Sequence, residues 1–213
     1  MKGKCFNCGK ELAGDYQPGE IFVWCENCRI NWGGNKKIHE KVIKYEDYPI
    51  VNSIEHPLKD LIISLIDKGS VLDIGCGSGI IAKALQDKGL DIEGLDASEV
   101  AVNICEGKGL KMHLSTILDF NSGKKYDYVI CIGTIYYLDK FEENFSKIIS
   151  LLKEGGTLIT NFYNPFRKRN DLIEMKVSKK QFSKAIKDNN LIVKKVIGKF
   201  YSIIKIYTLQ RRS

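Results

Sequence analysis

Five short apolar runs recur through the middle of the chain, at Ser70–Ile74, Asp91–Leu95, Leu110–Ser115, Tyr126–Ile132 and Thr157–Phe162, with amphipathic helical patterns between several of them. Nearly continuous apolar strands are buried on both faces, and that happens where helices cover both sides of a parallel sheet. The clearest helical pattern places Phe141, Phe145, Ile148, Ile149 and Leu152 on one side and predicts a helix that stops at Gly155-Gly156. Ahead of the first run, Leu58, Leu61, Ile62, Leu65 and Ile66 keep the spacing of a core-facing helix, opened by Pro57 and closed by Gly69. Another helix begins at Ser178, where Ser178 and Gln181 form a capping box and Phe182, Ala185 and Ile186 face inward. Two strands then follow in succession, Ile192–Ile197 and Tyr201–Leu209, which predicts an antiparallel hairpin on one edge. The pattern dictates an α/β fold built on a doubly wound, mostly parallel sheet.

With 213 residues the chain holds one full α/β domain and a small appendage. The appendage is marked by two C-x-x-C pairs, Cys5 with Cys8 and Cys25 with Cys28, at the spacing of a four-cysteine zinc site. Glu20–Cys25 is strand-like and Gly9 suits a left-handed turn residue, so residues 1–35 are expected to form a zinc-ribbon β-hairpin. So short a segment buries too little core to fold alone, and the ion would supply folding free energy. With all four positions taken, that zinc would be structural. Residues 36–55 are expected as a polar linker and 56–213 as the main domain. Seven cysteines is an odd number, which argues against a disulfide framework, and Cys76, Cys105 and Cys131 fit small buried hydrophobes. The apolar stretch Leu61–Ile66 is too short to span a bilayer, and the N-terminus lacks the apolar centre of a signal peptide. The expected location is therefore cytoplasmic, with no membrane partner.

Net charge is +7, distributed unevenly: residues 165–213 carry 14 Lys and Arg against 3 Asp and Glu, whereas residues 51–164 are net negative. Such asymmetry points to an acidic partner on one region of the surface, or to an ordinary solvated lysine-rich face.

The turn after the first strand reads "VLDIGCGSGI". A phosphate cradle would need a Lys-Ser or Lys-Thr after its last glycine, and none follows. A dinucleotide turn would need glycine where Ile80 stands; here Gly79 comes one residue early. Asp73, just ahead of the loop, would repel a pyrophosphate and attract an ammonium group. Asp96 ends the next strand, where an acid can accept hydrogen bonds from ribose hydroxyls. The implied ligand has a ribose, a cationic end and no diphosphate, a description that S-adenosylmethionine meets.

Asp73–Gly79, Asp96, "YDYVICIGTIYYL" (Tyr126–Leu138) and "LLKEGGTLIT" (Leu151–Thr160) together resemble the class I S-adenosylmethionine-dependent methyltransferases, in order, over most of the chain after residue 56. The resemblance implies a seven-stranded sheet of order 3-2-1-4-5-7-6 and S-adenosylmethionine as cofactor. It further implies that Gly75, Cys76, Gly77 and Gly79 admit the methionine part, that Asp73 positions it, and that Asp96 holds the ribose. The adenine would lie by Ala97 and the segment Thr116–Asp119, with Ile117 in that wall, Asp119 near the amino group, and Gly133 closing the contacts.

A sulfonium methyl is already activated, so methyl transfer asks mainly for placement of the acceptor, and for a base only where an acceptor proton must leave early. The acceptor-side candidates are Thr134, Tyr136 and Tyr137 after the fourth strand, and Asn161, Tyr163, Arg167 and Arg169 after the fifth. His113, within a strand, is expected as a satisfied core histidine. The cations Arg167–Arg169 beside Phe162, Tyr163 and Phe166 suit an anionic acceptor, with a lean towards RNA. The ribbon ahead of this domain is similar in architecture to the large-subunit rRNA guanine methyltransferases. A small metabolite, such as a quinone precursor or a phosphorylated compound, and a non-catalytic adaptor role are the alternatives.

Overall fold

The computed structural model describes residues 3–4, 11–12, 58–135, 138–163, 177–198 and 204–212. Near the N-terminus, β1 (Gly3–Lys4) pairs antiparallel with β2 (Glu11–Leu12), Gly3 opposite Leu12. The strand expected at Glu20–Cys25, the four cysteines of the expected zinc ribbon and the linker 36–55 lie outside the described residues.

The main sheet comprises β3 (Ser70–Ile74), β4 (Asp91–Asp96), β5 (Lys111–Leu114), β6 (Tyr126–Cys131), β7 (Leu152–Tyr163), β8 (Leu191–Ile197) and β9 (Ile204–Arg211). Its order is β5-β4-β3-β6-β7-β9-β8, which is 3-2-1-4-5-7-6 counted within the sheet, as expected. The first five strands are parallel; β9 lies antiparallel between β7 and β8, the expected edge hairpin. Every residue of β3 is buried, as a central strand covered on both faces must be.

Helices α1 (Lys59–Ser64), α2 (Ile80–Asp87) and α3 (Glu99–Glu106) cover one face, packing Ile62, Ile81, Leu85 and Cys105 against Val71, Ile92 and Ile130. Helices α4 (Phe141–Ser150) and α5 (Lys179–Asp188) cover the other, with Phe145, Ile148, Phe182 and Ile186 against Leu72, Val129 and Leu158. The capping box of α5 forms as expected: Gln181 N donates to Ser178 Oγ at 3.2 Å and Ser178 N donates to Gln181 Oε1 at 3.0 Å.

One boundary differs from the sequence pattern. Helix α4 stops at Ser150, and Leu152, expected as its last inward residue, already begins β7. Tyr126 pairs with Leu152 but Tyr128 with Thr157, so the intervening residues of β7 bulge out of the ladder. Gly155 takes φ +71° there, and a Cβ on Gly156 would come within 2.9 Å of the Lys153 carbonyl. The helical period ran on because Leu152 is buried in either setting.

Candidate functional site

The carboxyl ends of β3, β4, β6 and β7 meet above the sheet, where the strand order turns outward from β3 to β4 on one side and β6 on the other. The chain leaves β3 through Gly75–Gly79, whose three glycines have φ of +67°, +56° and +71°. A side chain at these positions would be strained. At Gly75 it would also collide, because a Cβ there would lie 2.1 Å from Thr134 Oγ1 on the loop leaving β6. Gly75 N donates to Leu95 O at 2.7 Å and Gly77 N to the Asp96 carboxylate at 3.1 Å, tying the loop to the end of β4.

Asp96 is buried, and its other oxygen accepts from Ser98 N at 3.0 Å. Ser98 in turn caps α3 by accepting from Ala101 N. Asp73 stands two residues before Gly75 and is only 4% exposed. Among the described residues its carboxylate has no hydrogen-bond or ion-pair partner. Burial, reinforced by the charge of Asp96, pushes its pKa up to about 7. A buried carboxylate beside a loop of alternating glycines, with no donor among the described residues, is the arrangement a cationic ligand group would complete.

On the other flank, Asn161 lies buried on β7, and its Oδ1 accepts from Gly133 N at 2.8 Å. Gly133 takes φ +78°. Thr160 Oγ1 donates to Cys131 O at 2.8 Å. Asn161, expected on the acceptor side, is thus placed beneath the β6 loop and holds Gly133 and Thr134 in position. Tyr163 ends β7 opposite Ile204; Tyr136, Tyr137, Arg167 and Arg169 lie outside the described residues.

Beyond β5, Asp119 N donates to Thr116 Oγ1 at 3.3 Å, and that hydroxyl donates to Asp119 Oδ2 at 2.5 Å. Ile117 is buried beneath this turn, while Ala97 and Asp119 are exposed. Leu114, registered beside Asp96, and Leu118 are 55% and 38% exposed, an apolar surface at the place expected for a purine. Leu118 falls in the expected segment Thr116–Asp119; Leu114 is an addition, and its signal in the sequence is a leucine at the last position of a strand where a polar residue would ordinarily face water.

His113 is a satisfied histidine: its Nε2 lies 2.7 Å from Glu93 Oε2 and its ring meets Phe120 edge-on at 5.0 Å. Of the three described cysteines, Cys105 and Cys131 are buried as expected, whereas Cys76 is only half-buried.

This architecture has counterparts among known proteins. The chain matches the family described as "Methyltransferase domain" over residues 52–186, and it belongs to that family. The ubiquinone biosynthesis O-methyltransferase of Rickettsia canadensis (strain McKiel) is 31% identical over 109 residues, 48% of this chain and 46% of that protein. The chain spans about half the length, or less, of the first curated relatives it matches. The N-methyltransferase NodS from Bradyrhizobium japonicum WM9, solved with S-adenosyl-L-homocysteine, shares the fold at TM-score 0.61 and 12% identity, covering 75% of this chain and 90% of that one. A TehB-like S-adenosylmethionine-dependent methyltransferase from Corynebacterium glutamicum shares it at TM-score 0.63 and 13% identity, covering 83% and 98%. No described helix is long and apolar enough to cross a membrane.

Proposed function

We propose that the chain is an S-adenosylmethionine-dependent methyltransferase, a reading carried above all by the buried carboxylate of Asp73 beside the glycine loop, which has no partner among the described residues. When bound, this cofactor supplies a methyl group on a sulfonium sulfur. Asp73 would pair with its α-ammonium, Asp96 would take the ribose hydroxyls, and Leu114, Ile117, Leu118 and Asp119 would enclose the adenine. Gly75, Gly77 and Gly79, all at positive φ, would turn the loop backbone past the methionine part, while Thr134 packs against Gly75 and Cys105 against Gly79 where a Cβ would stand. Asn161 acts through the backbone of Gly133, setting the position from which Thr134 meets the acceptor.

For the acceptor, the names of the curated relatives support a small hydroxyl-bearing compound methylated on oxygen. RNA is a second reading, favoured by the strongly positive segment 165–213 and its Arg167–Arg169 cluster. The spacing of Cys5, Cys8, Cys25 and Cys28 supports a structural zinc, to be checked as zinc bound per chain before and after Cys25→Ser.

Incubation with methyl-labelled S-adenosylmethionine and a desalted extract, followed by separation of RNA, protein and metabolites, tests the whole reading. Label in the low-mass fraction is expected. Nuclease-sensitive label would move the acceptor to RNA. Failure to bind S-adenosylhomocysteine would leave only an adaptor role.

A further inference from the structure

Two thiols meet at the cofactor loop itself. Cys76, between Gly75 and Gly77, carries its Sγ 3.9 Å from Cys105 Sγ on α3. Cys105 Sγ donates to Gly77 O at 3.2 Å and fills the space beside Gly79, where a Cβ would come within 2.7 Å of it. Cys76 is half-buried, packed against the apolar cluster beneath α1–α3 with its Sγ facing Gly94 of β4, and Cys105 is buried. Lys108 reaches the same loop, donating to Ser78 O at 2.5 Å. The contact with Cys76, and then the Lys108 charge, lower the Cys105 pKa, while the same contact and burial raise that of Cys76. Neither thiol has a role in the cofactor contacts derived above that alanine or serine could not fill.

We propose that Cys76 and Cys105 are a modification site, a dithiol that closes to a disulfide and in doing so disables the cofactor loop. The consequence for binding rests on the loop holding S-adenosylmethionine; the closure itself does not. The oxidant is a low-molecular-mass disulfide. The Cys105 contact and burial hold Cys76, the less buried of the two, protonated near neutral pH, so the first step is slow and quickens as pH rises. Once it loses its proton, the Cys76 thiolate attacks one sulfur of that disulfide, a mixed disulfide forms and one small thiolate leaves. Cys105 as its thiolate then attacks Cys76 Sγ; the protein S–S bond forms and the second small thiolate leaves. The two protein thiols together lose two protons and two electrons, and the small disulfide is reduced to two thiols.

Closure brings the sulfurs from 3.9 Å to bonding distance, about 2 Å apart. The Cys105 bond to Gly77 O is lost, and residue 76 is drawn towards α3. Gly77 N can then no longer keep its 3.1 Å bond to Asp96 undisturbed, so the loop and the ribose-binding acid lose their mutual register.

The full chain treated with oxidised glutathione and mapped by peptide mass spectrometry should yield the Cys76 and Cys105 peptides joined and two hydrogens lighter. Cys105→Ser should instead stop with glutathione on Cys76. Affinity for S-adenosylhomocysteine should fall by roughly tenfold or more in proportion to the linked fraction, and return with dithiothreitol. Absence of the linked peptides, or linked protein that binds S-adenosylhomocysteine as tightly as reduced protein, would overturn the proposal. Reduced protein that binds none would overturn the cofactor reading instead, with the link still visible by mass.

Discussion

Two buried carboxylates on neighbouring strands have opposite fates. Asp73 on β3 is registered with Gly94 on β4, so Glu93, one residue earlier, leaves the opposite face of the sheet. Glu93 is 2% exposed and fully engaged: Lys111 and Lys124 donate to Oε1 at 3.1 and 2.9 Å, and His113 and Tyr126 meet Oε2 at 2.7 and 3.0 Å. Burial alone would raise its pKa, but these partners outweigh it and hold the carboxyl at about 2. Asp73, similarly shielded from solvent, has no such partners among the described residues and rises to about 7. Similar exclusion from solvent with opposite shifts separates Glu93, an acid the fold satisfies, from Asp73, the one proposed to take a ligand. Solvent exposure alone would have classed them together.

Loss of Glu93 should have the largest effect. Glu93→Ala strands Tyr126 and His113 and should cost about 3 kcal/mol of stability, at the low end for a broken buried ion pair because Lys111 remains largely in solvent. Urea denaturation measures this, and folded variant should still bind S-adenosylhomocysteine. Asp73→Asn should do the reverse: affinity falls about thirtyfold, roughly 2 kcal/mol, while the urea midpoint holds or rises. A variant of Asp73 that loses stability without losing affinity would place this acid with Glu93 in the scaffold.

Legibility followed the same division. Asp73, Asp96 and the three glycines stand within one short turn and the end of the next strand, so their spacing alone announced them. The partners of Glu93 come from β5, β6 and the segment before β6, and only the register of Glu93 with Lys111 assembles them; no local spacing reports that. Asn161 is expected on the acceptor side from its place at the carboxyl side of the fifth strand; its hydrogen bond to Gly133 N depends on how far β7 extends past β6. The start of β7 was hidden for a related reason, since a bulge let Leu152 satisfy a helical period while lying in a strand. The Cys76–Cys105 contact joins residues 29 apart in sequence, through a loop and helix that only the packed fold brings together.

Acidity offers a finer test, because the two carboxylates should impose opposite slopes in different windows. Asp73 has a folded pKa raised from 3.8 to about 7, so its contribution to apo-protein stability is fully present below the lower value and is lost as pH rises through the higher. Glu93 is lowered from 4.5 to about 2; its contribution is present above 4.5 and is lost as pH falls towards 2. The stability difference between wild type and Asp73→Asn should therefore change between about pH 4 and 7, and that between wild type and Glu93→Gln below about pH 4.5. Affinity for S-adenosylhomocysteine should weaken as pH falls below 7, since a protonated Asp73 cannot pair with an ammonium, and Asp73→Asn should flatten that dependence.

The smallest effect is expected where the site meets solvent. Asp119 is exposed and already accepts the Thr116 hydroxyl, so a hydrogen bond from an adenine amino group there competes with water and adds little. Asp119→Ala should weaken S-adenosylhomocysteine binding by about threefold, some 0.6 kcal/mol, with no change in stability. Leu118→Ser tests the apolar half of the same wall, and because Leu118 is already 38% exposed its loss should leave the fold intact. If the serine variant loses more affinity than the Asp119 variant, the adenine is held by the leucine surface, and the acid at the mouth only selects the base that enters.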